Sequence, residues 1–109
     1  MVAPSDIAEL AQRIAEAFRP EQIVLFGSHA YGAPTSDSDV DLLIVMPHAG
    51  KSWDAAASIR GTVRPRFPVD LLVRTPQKLR ERLAMGDVFL REIVSRGKVL
   101  YEAPDRRVG

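Results

Sequence analysis

The stretch LFGSHAYGAPTSDSDVDLLIV, Leu25 to Val45, sets a Gly-Ser pair and three aspartates directly against two runs of apolar residues. Buried strands shed charge, because an unpaired carboxylate out of water is costly. These acids therefore call for a compensating group. Upstream, QIVLFG is a short β-branched run that ends at Gly27, and VDLLIVM is a second run that ends at Pro47. Both read as buried strands. Between them SHAYGAPTSDSD is rich in turn formers, with room for one helical turn over Ser28 to Tyr31 before Gly32 and Pro34 break it.

Working outward, Ile7, Leu10, Ala11, Ile14 and Phe18 follow the spacing of an amphipathic helix, with Ser5 or Asp6 as the expected N-cap and Pro20 as the stop. After the loop PHAGK, a helix is expected from Trp53 to Val63 with Ser52 as its cap. VDLLV, bounded by Pro68 and Pro76, is a third strand. The remainder reads as two helices split near Met85-Gly86-Asp87, then an edge strand at Lys98 to Tyr101. Strands alternating with helices give an α/β (α+β) class: a small mixed β-sheet flanked by helices. The chain is expected to form a single domain over 1–103, with 104–109 a frayed tail that has little to bury.

Composition narrows the function. Fifteen Lys+Arg against 14 Asp+Glu leave a formal charge of +1, so no global field points to nucleic acid or anionic lipid. The absence of cysteine removes disulfide frameworks, thiolate nucleophiles and Cys-based zinc sites. Asp6 and Glu9 stand where a signal peptide needs positive charge, and no apolar stretch approaches membrane-spanning length, so a cytoplasmic location is expected.

On a strand, alternation sends Asp39 and Asp41 to one side and Val40 and Leu42 to the other. Two such anions repel unless a proton or cation lies between them, and a hard divalent ion such as Mg²⁺ prefers this all-oxygen environment. A third acid, Asp70, opens VDLLV, which repeats the pattern around Asp41, so neighbouring strands would bring it to the other two. Three carboxylates at adjacent strand ends can hold two metal ions, the usual apparatus for in-line displacement at phosphorus. Gly27 lets backbone approach a ligand closely, and the turn it opens, with the Ser28 hydroxyl, suits phosphate. The bland alternative is a solvated strand entrance whose acids cap neighbouring turns.

Other acid-rich motifs fail on the text. An EF-hand loop starting at Asp37 meets Leu42 where glycine is required and His48 where glutamate is required. A Walker loop starting at Gly27 runs into Ala33-Pro34 in place of Lys-Ser/Thr. Phosphatases with an aspartate nucleophile carry their acid pair after an apolar strand, whereas here the pair opens one.

What remains is Gly-Ser, ten residues, Asp-x-Asp, and a third Asp on a later strand. This pattern resembles the nucleotidyltransferase superfamily of DNA polymerase beta and, in chain size, its minimal nucleotidyltransferases. The resemblance covers Ile23 to Val73. It implies a polymerase beta-like fold, Gly27 and Ser28 as the triphosphate-binding pair, Gly32 as the second loop glycine, and Asp39 and Asp41 as ligands of Mg²⁺. Asp70 would be the third carboxylate, ligating metal or accepting the acceptor's proton. Small members of that family often pair with a separately encoded HEPN-domain toxin. The transferase is then the antitoxin and moves AMP from ATP to a tyrosine hydroxyl of the toxin.

Two alternatives stay open beside this reading. One is a binding module that neutralises its partner sterically through the apolar surface of its C-terminal helices, for example at Phe89 or Ile93. The other is a small-molecule transferase, which usually carries an added helical domain. Among the remaining candidates, Asp37 reads as a turn residue, His29 and His48 as solvent-exposed, and Arg60, Arg64, Arg66 and Arg74 as solvated. Tyr31 could stack on a base or cover the core, and Trp53 could be core or interface.

Overall fold

The computed structural model describes residues 1–104, so most of the expected tail lies outside the described residues. The elements run α1 (Pro4–Phe18), β1 (Gln22–Phe26), α2 (Ser28–Tyr31), β2 (Val40–Val45), α3 (Ser52–Val63), β3 (Val69–Arg74), α4 (Pro76–Ala84), α5 (Val88–Arg96) and β4 (Lys98–Glu102). The strands form one mixed sheet in the order β3-β2-β1-β4. β1 is antiparallel to both of its neighbours, whereas β2 and β3 are parallel and are joined by α3.

The apolar runs follow from burial on both faces of the central strands. Ile23, Leu25, Val40, Leu42 and Ile44, with Val69, Leu71 and Val73, face a layer of α1 and α3 contributing Ile7, Leu10, Ile14, Ile59 and Val63. Val24, Phe26, Leu43 and Val45 face the other way, onto Leu90 and Ile93 of α5, with Leu79 and Leu83 of α4 alongside. Leu42, Leu43 and Ile44 are fully buried, and each such side chain contributes roughly 1.5–3 kcal/mol of transfer free energy. Arginines tie the layers together: Arg60 of α3 donates to the Val69 carbonyl at 2.9 Å, and Arg13 of α1 donates to the carbonyl of Val63. Arg60 thus has a structural bond where solvation alone was expected.

Two helix starts differ from expectation. α1 begins at Pro4, which sits comfortably at the first helical position because its missing N–H would be unpaired there anyway. Asp6 is the third helical residue, and its carboxylate accepts from the Ala3 amide at 3.2 Å. α3 starts at Ser52 itself, behind Lys51, with no side-chain cap. Lys51 instead sets its ammonium 4.7 Å over the ring of Trp53, which is exposed. α4 is capped by Thr75, whose hydroxyl accepts from the Lys78 amide at 3.1 Å. A Thr75→Ala protein should lose about 1 kcal/mol, a fall in Tm of roughly 4 to 8 °C for a domain of this size, read by thermal circular dichroism. No helix among the described residues is long and apolar enough to cross a membrane.

Candidate active site

β1 ends at Phe26, and the backbone of Gly27 (φ 75°, ψ −156°) turns the chain into α2. The amides of Ala30 and Tyr31 return to the Gly27 carbonyl at 3.0 and 3.1 Å, and Gly32 closes the turn on the Ser28 carbonyl at 3.1 Å. A Cβ at Gly32 would lie 2.8 Å from Ser28 Cα, so the second glycine is needed for this close approach. The Ser28 and His29 amides make no bond within the turn, as at any helix start. Tyr31 packs on the second core layer with the Arg96 guanidinium 4.3 Å over its ring. It therefore covers part of the core and anchors the turn.

The acids converge on this turn. Parallel register sets Asp41 directly beside Asp70, and antiparallel register sets it beside Phe26, the residue before Gly27. By alternation with Leu43 and Leu72, both carboxylates project to the sheet face covered by α4 and α5. The Asp41 carboxylate lies against the Gly27 backbone: a Cβ there would fall 2.2 Å from its Oδ2. Asp39 precedes β2 and is exposed, as is Asp70, while Asp41 is half-buried. Burial pushes the Asp41 carboxyl up from its ordinary 3.8; the charges of Asp70 and then Asp39 add to the rise, and nearby His29 opposes it.

His29 sits half-buried, its Nε2 3.3 Å from the Ser38 carbonyl. A carbonyl can only accept, so Nε2 carries the proton in that bond. The contact ties α2 to the loop that delivers Asp39, a position that sequence reasoning assigned to solvent. Only this one bond across the loop marks the role, and no local pattern signals it. The same loop is closed by Thr35 and Ser38, with the Ser38 amide on the Thr35 carbonyl at 3.1 Å and the Thr35 amide on Ser38 Oγ at 2.9 Å. Asp37 lies in that turn, exposed, as expected.

The pH response of Asp41 carries a sign. Its folded pKa lies above the unfolded value, so the native state holds the proton more tightly, and stability falls as pH rises from 3.8 through the raised value. In magnesium-free solution Asp41→Asn should therefore be slightly more stable than the parent at neutral pH. Solvent screening keeps that gain below about 1 kcal/mol, and it should vanish below pH 3.8 in parallel denaturation series.

The donor chemistry suits a hard divalent cation: strand register sets Asp41 beside Asp70, Asp39 lies two residues before Asp41, and an ion would relieve the repulsion that both exert on it. Among the described residues no three acids or histidines stand, as placed, where they could hold a metal ion. Exposed Asp39 and Asp70 would have to swing toward Asp41, which exposed side chains do within nanoseconds.

The family model for the nucleotidyltransferase domain matches residues 7–102, and the chain belongs to that family. A search of curated proteins found no match. Among solved structures, a chain from Sulfolobus solfataricus described as a candidate nucleotidyltransferase superposes with a TM-score of 0.63 at 21% identity, covering 90% of this chain and 78% of that one. A toxin–antitoxin structure with AMP-PNP superposes at 0.57 and 21% identity, covering 91% and 76%. The toxin–antitoxin MntA-HpeT, in a mutant with two aspartates changed to glutamate, gives 0.53 and 18%, covering 96% and 77%. At these identities the likeness is one of fold, and that fold is the mixed sheet flanked by helices expected from the sequence.

Proposed function

We propose that this chain transfers AMP from ATP to a hydroxyl of a partner protein, as the antitoxin of a toxin–antitoxin pair. The observation that carries the reading is the register pairing of Asp41 with Asp70 beside the Gly27–Ser28 turn. The Gly27–Ser28 turn, with its free amides, would hold the triphosphate. Asp39 and Asp41 would hold Mg²⁺, with Asp70 as a third ligand. When bound, the metal supplies charge neutralisation at the triphosphate and acidifies the acceptor hydroxyl. Asp70, exposed at the outer strand, takes the acceptor's proton as its oxygen bonds to the α-phosphorus. The bond to the bridging oxygen breaks and pyrophosphate leaves. The toxin–antitoxin neighbours, one of them holding AMP-PNP, support a toxin as the partner and an adenine nucleotide as the donor. A HEPN-domain toxin with an acceptor tyrosine is the partner that the sequence resemblance implies.

A second reading rests on a different observation. Met85, Val88, Phe89 and Val94, on α5 and the loop before it, are large, apolar and at least half exposed. Phe89 also stacks edge-on against Phe26 at 5.8 Å, which places this face next to the acids. A partner seated there could be neutralised without any transfer. Ile93, expected on this surface, is instead 1% exposed and belongs to the core, because it points at β1 and β2.

Intact-mass analysis of the chain with its genome-neighbour partner, ATP and Mg²⁺ separates the readings. One adenylyl group added to the partner supports transfer. An unmodified partner in a stable complex that Phe89→Glu disrupts supports the steric module.

A further inference from the structure

At the end of the sheet opposite the acids, the structure holds a second constellation that nucleotidyl transfer does not use. The parallel strands β2 and β3 end together, with the Met46 amide donating to the Arg74 carbonyl at 3.0 Å. The loops that follow them lead into α3 and α4. Between those loops lies a cleft of about 420 Å³ lined by His48, Ser52, Arg74, Thr75, Lys78 and Arg82, with Gly50 and Val73. Its volume falls within the roughly 300–1,000 Å³ of small-molecule sites, and its place outside the carboxyl ends of parallel strands is where open α/β sheets bind ligands. Asp70 and Arg74 are four residues apart on β3, so the cleft lies about 13 Å from the acids along the strand.

The lining has one sign. It contains two arginines, a lysine, a histidine and two hydroxyls, and no carboxylate, in a chain whose formal charge is only +1. Arg82 is partly answered from outside the cleft, because its Nε and Nη2 both donate to Oδ2 of Asp87 at 3.1 and 3.0 Å. Arg74 spends one Nη on the neutral Val73 carbonyl at 2.8 Å, which leaves its charge uncompensated. The Lys78 ammonium makes no bond among the described residues. Concentrating uncompensated cations in a concavity favours an anion with several acceptor oxygens, and arginine forks match a phosphoryl group bidentately.

We propose that this cleft binds the phosphoryl group of a small ligand, inorganic phosphate or a phosphomonoester, independently of the acid cluster. The test is an amide NMR titration of the chain with inorganic phosphate and, separately, AMP. Both are run in EDTA, so that no metal bridges anions to the aspartates, against sodium chloride at matched ionic strength. Saturable shifts confined to Gly50, Ser52, Thr75 and Lys78, absent with chloride, are expected for both probes. Equal affinities identify the phosphoryl group alone as the ligand, and a tighter AMP identifies a phosphomonoester. In Arg74→Met/Lys78→Met the affinity should fall about tenfold or more, the loss expected when charge-assisted bonds are removed. Lys78→Glu alone, at an exposed residue whose side chain makes no bond, gives the same direction if the double variant misfolds. Shifts that chloride reproduces, that appear elsewhere, or that survive both variants overturn the proposal.

Discussion

Asp41→Asn will lose nucleotidyl transfer by at least about a hundredfold, more than outer-shell changes typically cost a metal site, while folding as well as the parent. The carboxylate is the one acid of the cluster that is half-buried, and its neighbours Asp70 and Asp39 both raise its pKa. Asparagine keeps the shape and one acceptor oxygen but removes the charge that offsets a divalent ion. Transfer would be followed by mass spectrometry of the partner. Magnesium should raise the Tm of the parent and leave that of Asp41→Asn nearly unchanged, because only binding to the native state stabilises it. Full activity in the asparagine protein would remove Asp41 from the chemistry and with it the metal reading of the cluster.

Gly27→Ala should be strongly damaging for a single methyl group. With φ at 75° and ψ at −156°, Gly27 occupies a region essentially closed to residues with a Cβ, and forcing one there costs about 1–3 kcal/mol. The added carbon would also lie 2.2 Å from Oδ2 of Asp41, so the carboxylate must leave the turn. Both stability and transfer should fall. A double-mutant cycle with Asp41→Ala separates the two causes, because Asp41→Ala removes the clash and leaves the strain. The double variant should be less destabilised than the two single losses added together. Strict additivity would mean that carboxylate and glycine do not touch.

Most of the architecture was legible because the central strands are buried on both faces, so that apolar runs stand out at residues 23–26, 42–45 and 71–73. The repeat of Val-Asp-Leu-Leu suggested that Asp70 would join Asp41 if the two strands were neighbours; that they are parallel and in register with Asp41 beside Asp70 is set by the crossover through α3. Where expectation failed, the deciding contact was remote or conformational. His29 is placed by the carbonyl of Ser38, nine residues away. The start of α3 is set by extended backbone at Lys51 rather than by a capping side chain. Phe89 and Ile93 are equally apolar in sequence, and only the docking angle of α5 sends one to solvent and the other to the sheet. The basic cleft draws on residues from 48 to 82 and has no linear signature.

The sheet closes nowhere, and its two rims, β3 and β4, both carry charges. β3 presents exposed Asp70 and half-buried Arg74; β4 presents exposed Lys98 and Glu102, and its pairing with β1 shifts between Ile23 and Val24. Charged and irregular rims discourage another chain from adding a strand, the route by which unprotected sheets aggregate. Asp70 is thus one of the charges on an open rim as well as a member of the proposed site.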